Sequence, residues 1–222
     1  MAVVVLYFKE LWPFQNQKKA KGALERYVKT DKMIMWFKIV VSCIPSIVIG
    51  LPFNDFIEAH FNNYLVVSIM LIVYGIFFIL IENYNKKRTA SINSVVEIGW
   101  KTAFLIGVFQ LLAVIPGTSR SGATIIGGIL LGTSRTVAAE YTFFLAIPTM
   151  FGASLLKLVK FGLNFTGTEA IILIVGTLVS FVVSILAIKF LMGYIKKHDF
   201  KVFGWYRIAL GIVVLLFFSL FR

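Results

Sequence analysis

Charge is scarce in this chain of 222 residues: Asp, Glu, Lys and Arg make up 14% of it, against 59% hydrophobic residues. That scarcity excludes an ordinary soluble domain, in which charged side chains approach about a quarter of the total. Cysteine occurs once, as Cys43 within an apolar run. No intramolecular disulfide can form, and a packing role is expected. Acidic residues number 10 against 22 basic ones, for a net charge of +12. The excess does not indicate nucleic acid as a partner, because Lys and Arg gather at loops between apolar runs. The N-terminus, "MAVVVLYFKELW", lacks the basic stretch of a signal peptide, and its apolar segment is too short for one. It reads as the last turns of a helix whose beginning lies outside the sequence.

Apolar length is what the chain has. Its mean hydropathy is +0.90. Several runs approach the roughly 20 residues needed to cross a bilayer. The expected fold is an all-α polytopic membrane protein with one transmembrane domain over residues 1–222. Spans are expected at 34–53, 64–82, 137–159, 169–192 and 203–221, with residues 54–63, which hold Asp55 and Glu58 but no Lys or Arg, as an external loop. Basic stretches at 9–33 (Lys9, Lys18, Lys19, Lys21, Arg26, Lys29, Lys32) and 83–102 are assigned to the cytoplasm. Trp12, Trp36, Trp100 and Trp205 fall at span ends, as an interfacial aromatic belt would. Asn164-Phe165-Thr166 matches a glycosylation sequon, with nothing else to support a secreted context.

Residues 103–132 do not fit a simple span. If they crossed the membrane as one broken helix, the basic segment "IKKHDFK" at 195–201 would lie outside. If they enter and leave on one side, that segment is cytoplasmic, and only Lys157 and Lys160 sit awkwardly. A re-entrant helical hairpin is therefore expected, with its tip at "PGTSRSGAT" (116–124). Irregular backbone is tolerated at membrane depth only where protein or a wet cavity surrounds it.

The tip has the composition of an anion site. Pro116 stops a helix, and Gly117 permits a tight turn. Ser121 is expected to cap the next helix, whose N-terminus would point positive at the turn. Arg120 brings a planar cation, and Ser119, Ser121 and Thr124 bring hydroxyls. Phosphate fits these donors best. The competing reading is a structural Arg120 paired with Glu140 or with helix-end carbonyls. Gln110, one to two turns before Pro116, either reaches the same pocket or bonds a neighbouring helix. Gly117 and Gly122 have P-loop spacing, but Ala123 stands where the essential Lys would be. An SR-x5-H phosphatase pattern fails too, since Ile126 and Tyr141 occupy the two possible His positions. His60 and His198 are expected in solvated loops. "GTSR" recurs at 132–135, where Thr133 or Ser134 is expected to cap the following span. Gly128 and Gly132 read as a small-xxx-small packing pair.

The stretches "IGVFQLLAVIPGTSRSGATIIGGILLG" and "SRTVAAEYTFFLAIPTMFGA" closely resemble the bacterial undecaprenyl-diphosphate phosphatase family, the bacitracin-resistance type. "WFKIVVSCIPSIVIGLPFNDFIE" and the order of spans extend the resemblance over essentially the whole chain. It implies an inverted-repeat membrane enzyme of the bacterial plasma membrane. Such an enzyme removes the terminal phosphate of a polyprenyl diphosphate, recycling the cell-wall lipid carrier and protecting against bacitracin. A non-catalytic polyprenyl-phosphate binder or flippase on the same scaffold is the alternative. The resemblance assigns Arg120, Ser119 and Thr124 to catalysis, and Gly117, Ser121, Gln110 and Glu140 to substrate binding. It implies a divalent cation, Mg or Ca, with no ligands identifiable here; a homodimer is left open. The family's acidic motif, of the form EGxTEFxPxSSxGH, is not found. A shortened member, with little activity as it stands, is the expectation.

Overall fold

The computed structural model describes residues 1–15, 27–86, 88–162 and 166–220. Lys18, Lys19, Lys21 and Arg26 of the first basic stretch, and most of the 164–166 sequon, lie outside those residues. The described residues are predominantly helical: α1 (Ala2–Leu6), α2 (Phe8–Leu11), α3 (Thr30–Pro45), α4 (Leu51–Phe61), α5 (Tyr64–Asn85), α6 (Trp100–Leu111), α7 (Arg120–Leu130), α8 (Arg135–Phe161), α9 (Gly167–Ile195) and α10 (Lys201–Leu220). Five helical stretches are long and apolar enough to span a bilayer: 30–61, α5, α8, α9 and α10. The protein is thus a multi-pass membrane protein, as its composition requires.

One expected loop is a helix. Residues 54–61 continue the first span, because α3 passes through a π-helical turn at Ser46–Gly50 directly into α4. Pro45 lies within α3 and cannot donate a backbone N–H; a widened turn absorbs that loss without ending the helix. Asp55, Glu58 and His60 are therefore helical and exposed, with His60 stacked on Phe56 at 4.3 Å between ring centres. The turn shrinks to Asn62-Asn63, and Asn63 caps α5 by accepting from Val66 N at 3.0 Å.

α5 and α10 pack closely through glycines. A Cβ on Gly75 would lie 2.7 Å from the Gly204 carbonyl, and one on Gly211 would lie 2.8 Å from that of Ser68. Backbones come this near only without side chains between them. α3 is tied to its neighbours by Ser42, whose Oγ donates to the Ala103 carbonyl (2.6 Å) and meets the Tyr141 hydroxyl (2.7 Å). One core joins α3, α6 and α8 around Ile39, Ile106, Tyr141 and Phe144. A second joins α5, α7 and the start of α8 around Phe78, Ala123, Ile126 and Ala139. α9 buries only Met192 and Ile195. Its exposed apolar faces suit hydrocarbon as solvent.

α6 and α7 lie between those cores as a hairpin. Its two ends meet: Ser91 and Ile92 donate to the Gly132 carbonyl (3.0 and 3.1 Å), and Ser134 N donates to that of Ile92 (2.9 Å). The base sits at the C-terminal end of α5, where Arg135 pairs with Glu82. The tip abuts the opposite end of α5, where a Cβ on Gly117 would lie 2.6 Å from the Val67 carbonyl. Gly132 does not pack helix on helix. It closes α7 with φ +92°, a conformation that favours glycine, while Gly128 alone faces Ala138.

Candidate functional site

The two GTSR segments fold into the same device. Gly117 and Gly132 both take positive φ (+88° and +92°). Thr118 and Thr133 are both buried. Ser119 and Ser134 are the N-caps, accepting from Gly122 N (3.2 Å) and Val137 N (3.3 Å). Arg120 and Arg135 then open α7 and α8. The capping residue is Ser119 rather than Ser121, because its extended backbone aims the hydroxyl back at Gly122. Ser134 caps α8 as expected.

The two arginines differ in partner. Arg135 makes three contacts with the Glu82 carboxylate, at 2.6–3.0 Å. Arg120 has no carboxylate: its Nη1 donates to Thr149 Oγ1 at 3.0 Å, and Thr149 in turn donates to the Leu145 carbonyl. The one salt bridge among the described residues is that of Arg135. Arg120 is therefore without a carboxylate counterion among the described residues.

Arg120, Gln110, Ser121, Thr124, Thr142, Phe143 and Ala146 line a cavity of about 260 Å³. Thr124 is 1% exposed; its Oγ1 lies 3.1 Å from the carbonyls of Arg120 and Ser121 and accepts from Thr142 at 2.9 Å. It holds the first turn of α7 in shape. Gln110 is also buried and donates to Ser46 Oγ at 2.7 Å, inside the π turn. The widened turn thus positions a wall of the cavity. Ser121 lies at the cavity edge, 3.1 Å from Ser119 Oγ.

Three assigned residues stand apart from the cavity lining. Gly117 sets the tip against α5. Glu140 does not pair with Arg120; the charged groups it faces are Lys196 and Glu10. Ser119 acts through the cap rather than from the cavity lining. Thr142, Thr149 and Ser46 had no place in the sequence reading. The signal was present for two of them, since Thr142, Ala146 and Thr149 share one face of α8 at helical spacing.

The cavity combines a helix N-terminus, an uncompensated guanidinium and hydroxyls. Such donors stabilise an anion, phosphate above all. The implied divalent cation does not fit them. Mg and Ca take carboxylate, carbonyl and water oxygens, whereas no carboxylate lines this cavity. Among the described residues, no group of three or more His, Cys, Asp or Glu side chains converges anywhere.

Residues 1–213 match the family described as bacitracin resistance protein BacA. The chain is 61% identical over 220 residues to an undecaprenyl-diphosphatase of Desulfitobacterium hafniense, covering 99% of this chain and 77% of that one. It is 62% identical over 219 residues to undecaprenyl-diphosphatase 1 of Clostridium acetobutylicum (98% and 78%). An undecaprenyl-diphosphatase of Enterococcus faecalis is 56% identical over 216 residues (97% and 77%).

Proposed function

The chain belongs to the bacitracin resistance protein BacA family, and on that premise we propose that it removes the terminal phosphate of undecaprenyl diphosphate at the hairpin tip. It is an enzyme of the bacterial plasma membrane, and the reaction returns the lipid carrier to use in the cell wall. The observation that carries this reading is Arg120: it opens a helix beside a polar cavity with no carboxylate to neutralise it. An arginine at membrane depth costs at least about 2.5–3.5 kcal/mol, which a diphosphate counterion offsets.

The residues act by holding charge. The α7 N-terminus and the Arg120 fork meet the phosphoryl oxygens, and stabilise the negative charge that develops as water bonds to the terminal phosphorus and the phosphoanhydride bond breaks, releasing inorganic phosphate and the lipid monophosphate. Thr124 and Thr142 keep the helix turn rigid, so these donors are fixed before substrate arrives. Thr149 holds the guanidinium in place. The tip meets the end of α5 that follows Asn62-Asn63, so the site works toward the outer side of the membrane.

Phosphate release from undecaprenyl diphosphate by the purified protein in lipid nanodiscs tests the reading. Arg120→Gln should lower kcat by about 10²–10³-fold while the protein stays folded. Release unaffected by that change, or binding of the diphosphate no tighter than that of the neutral prenol, would overturn it.

A further inference from the structure

A second guanidinium lies beside the tip. Arg207 stands on α10, inside a stretch apolar enough to span the membrane. Its Nη1 atom is buried and lacks a hydrogen-bond partner, while the rest of the side chain is partly exposed. No described carboxylate pairs with it, since the single salt bridge is that of Arg135. What it has is the ring of Phe78, with its carbon 5.6 Å from the centroid, and the nearby phenols of Tyr74 and Tyr206. A ring face recovers only part of what a cation loses on leaving water. A charged residue within a membrane helix, left without a counterion, marks a functional site by default.

The surroundings connect this cation to the motif. Phe78 is also the ring against which the tip packs: a Cβ on Gly122 would lie 3.2 Å from its Cε2. Tyr74 neighbours both Arg207 and Thr118, its phenol meeting the Thr118 side chain of the tip. The unpartnered Nη1 of Arg207 therefore lies on the α5 flank of the tip, beside Phe78 and Tyr74. Arg120 opens on the other flank, toward α8. The tip has a cation on each side.

We infer that Arg207 is a second phosphate-binding residue of the same site, and that Arg120 and Arg207 each take one phosphoryl group of the diphosphate. This rests on the functional reading above. It gives the site a preference that one arginine cannot supply. A diphosphate neutralises both cations, whereas a lipid monophosphate leaves one uncompensated. Loss of the terminal phosphate would then weaken the hold on the product.

The test compares wild type with Arg207→Gln in nanodiscs, reading thermal midpoint and the affinities for undecaprenyl diphosphate and undecaprenyl monophosphate. A cation kept for a ligand is a burden without it, so the ligand-free variant should melt at or above the wild-type midpoint. Its diphosphate affinity should fall about tenfold or more, as loss of a charge-assisted hydrogen bond entails, with monophosphate affinity within about twofold of wild type. A variant that fails to fold or melts lower shows a structural arginine and overturns the inference. So does an unchanged diphosphate affinity, or an equal loss for both lipids. If wild type itself does not prefer the diphosphate to neutral prenol, the functional reading fails first. If it does and Arg207→Gln changes nothing, only the role of Arg207 fails.

Discussion

Arg120 and Arg135 start their helices from the same Gly-Thr-Ser turn, so the difference between them lies in what each guanidinium meets. Glu82 is 1% exposed and fully engaged by Arg135. Arg135→Gln would strand that carboxylate, and should lower stability by about 3 kcal/mol. A denaturation curve in detergent micelles would show this as an earlier midpoint, and activity per folded molecule should be retained. Arg120→Gln strands no carboxylate. Its midpoint should stay near wild type while phosphate release collapses. The pair of variants separates a cation that holds the fold from one that holds a ligand. The sequence displayed both arginines and the repeat. It could not show which arginine was already neutralised, because Glu82 lies 53 residues from Arg135 in the chain.

At the level of elements, the hairpin depends on backbone shape more than on side-chain chemistry. Gly117 combines positive φ with close approach to Val67. Gly117→Ala should cost about 2–4 kcal/mol, from backbone strain plus overlap. Limited proteolysis near the tip, together with a lowered midpoint, would register it. Ser119→Ala removes the cap of α7 and should cost about 1 kcal/mol. Hydrogen exchange at Gly122 and Ala123 would report the loosened turn. The long helices were legible from their apolar runs. The π turn was not, since nothing local separates a proline that ends a helix from one absorbed by a wider turn. That distinction is made by the Gln110–Ser46 contact across 64 residues. Likewise, Ser119 and Ser121 are equally good caps by composition; only the extended backbone at Ser119 decides between them.

Across the whole molecule, charge is sorted to the two ends. Lys86, Arg88, Arg135, Lys196 and Lys197 line a cleft of about 570 Å³ at the hairpin's base. The opposite end carries Asp55 and Glu58 on α4. The base should face the cytoplasm and Asn62 the outside. With Cys43 replaced by Ser, Asn62→Cys should react with an impermeant maleimide in intact cells. His198→Cys should react only after permeabilisation. The reverse pattern would invert the assignment and place the tip on the cytoplasmic side. Composition made the number of spans readable, because each needs a run of apolar residues. The partners of those spans were not readable, because lipid-facing and protein-facing apolar residues look alike in sequence.

The bonds that close the hairpin join Ser91 and Ile92 to Gly132, and Ser134 to Ile92; Arg120 is anchored by Thr149, 29 residues further on. During synthesis, then, the motif leaves the ribosome well before the residues that lock it. Until α8 follows, the tip is a polar loop with an unanchored cation and an open base. Assembly of the site is therefore ordered in time: α6 and α7 supply the first walls of the cavity, and the arrival of α8 closes it.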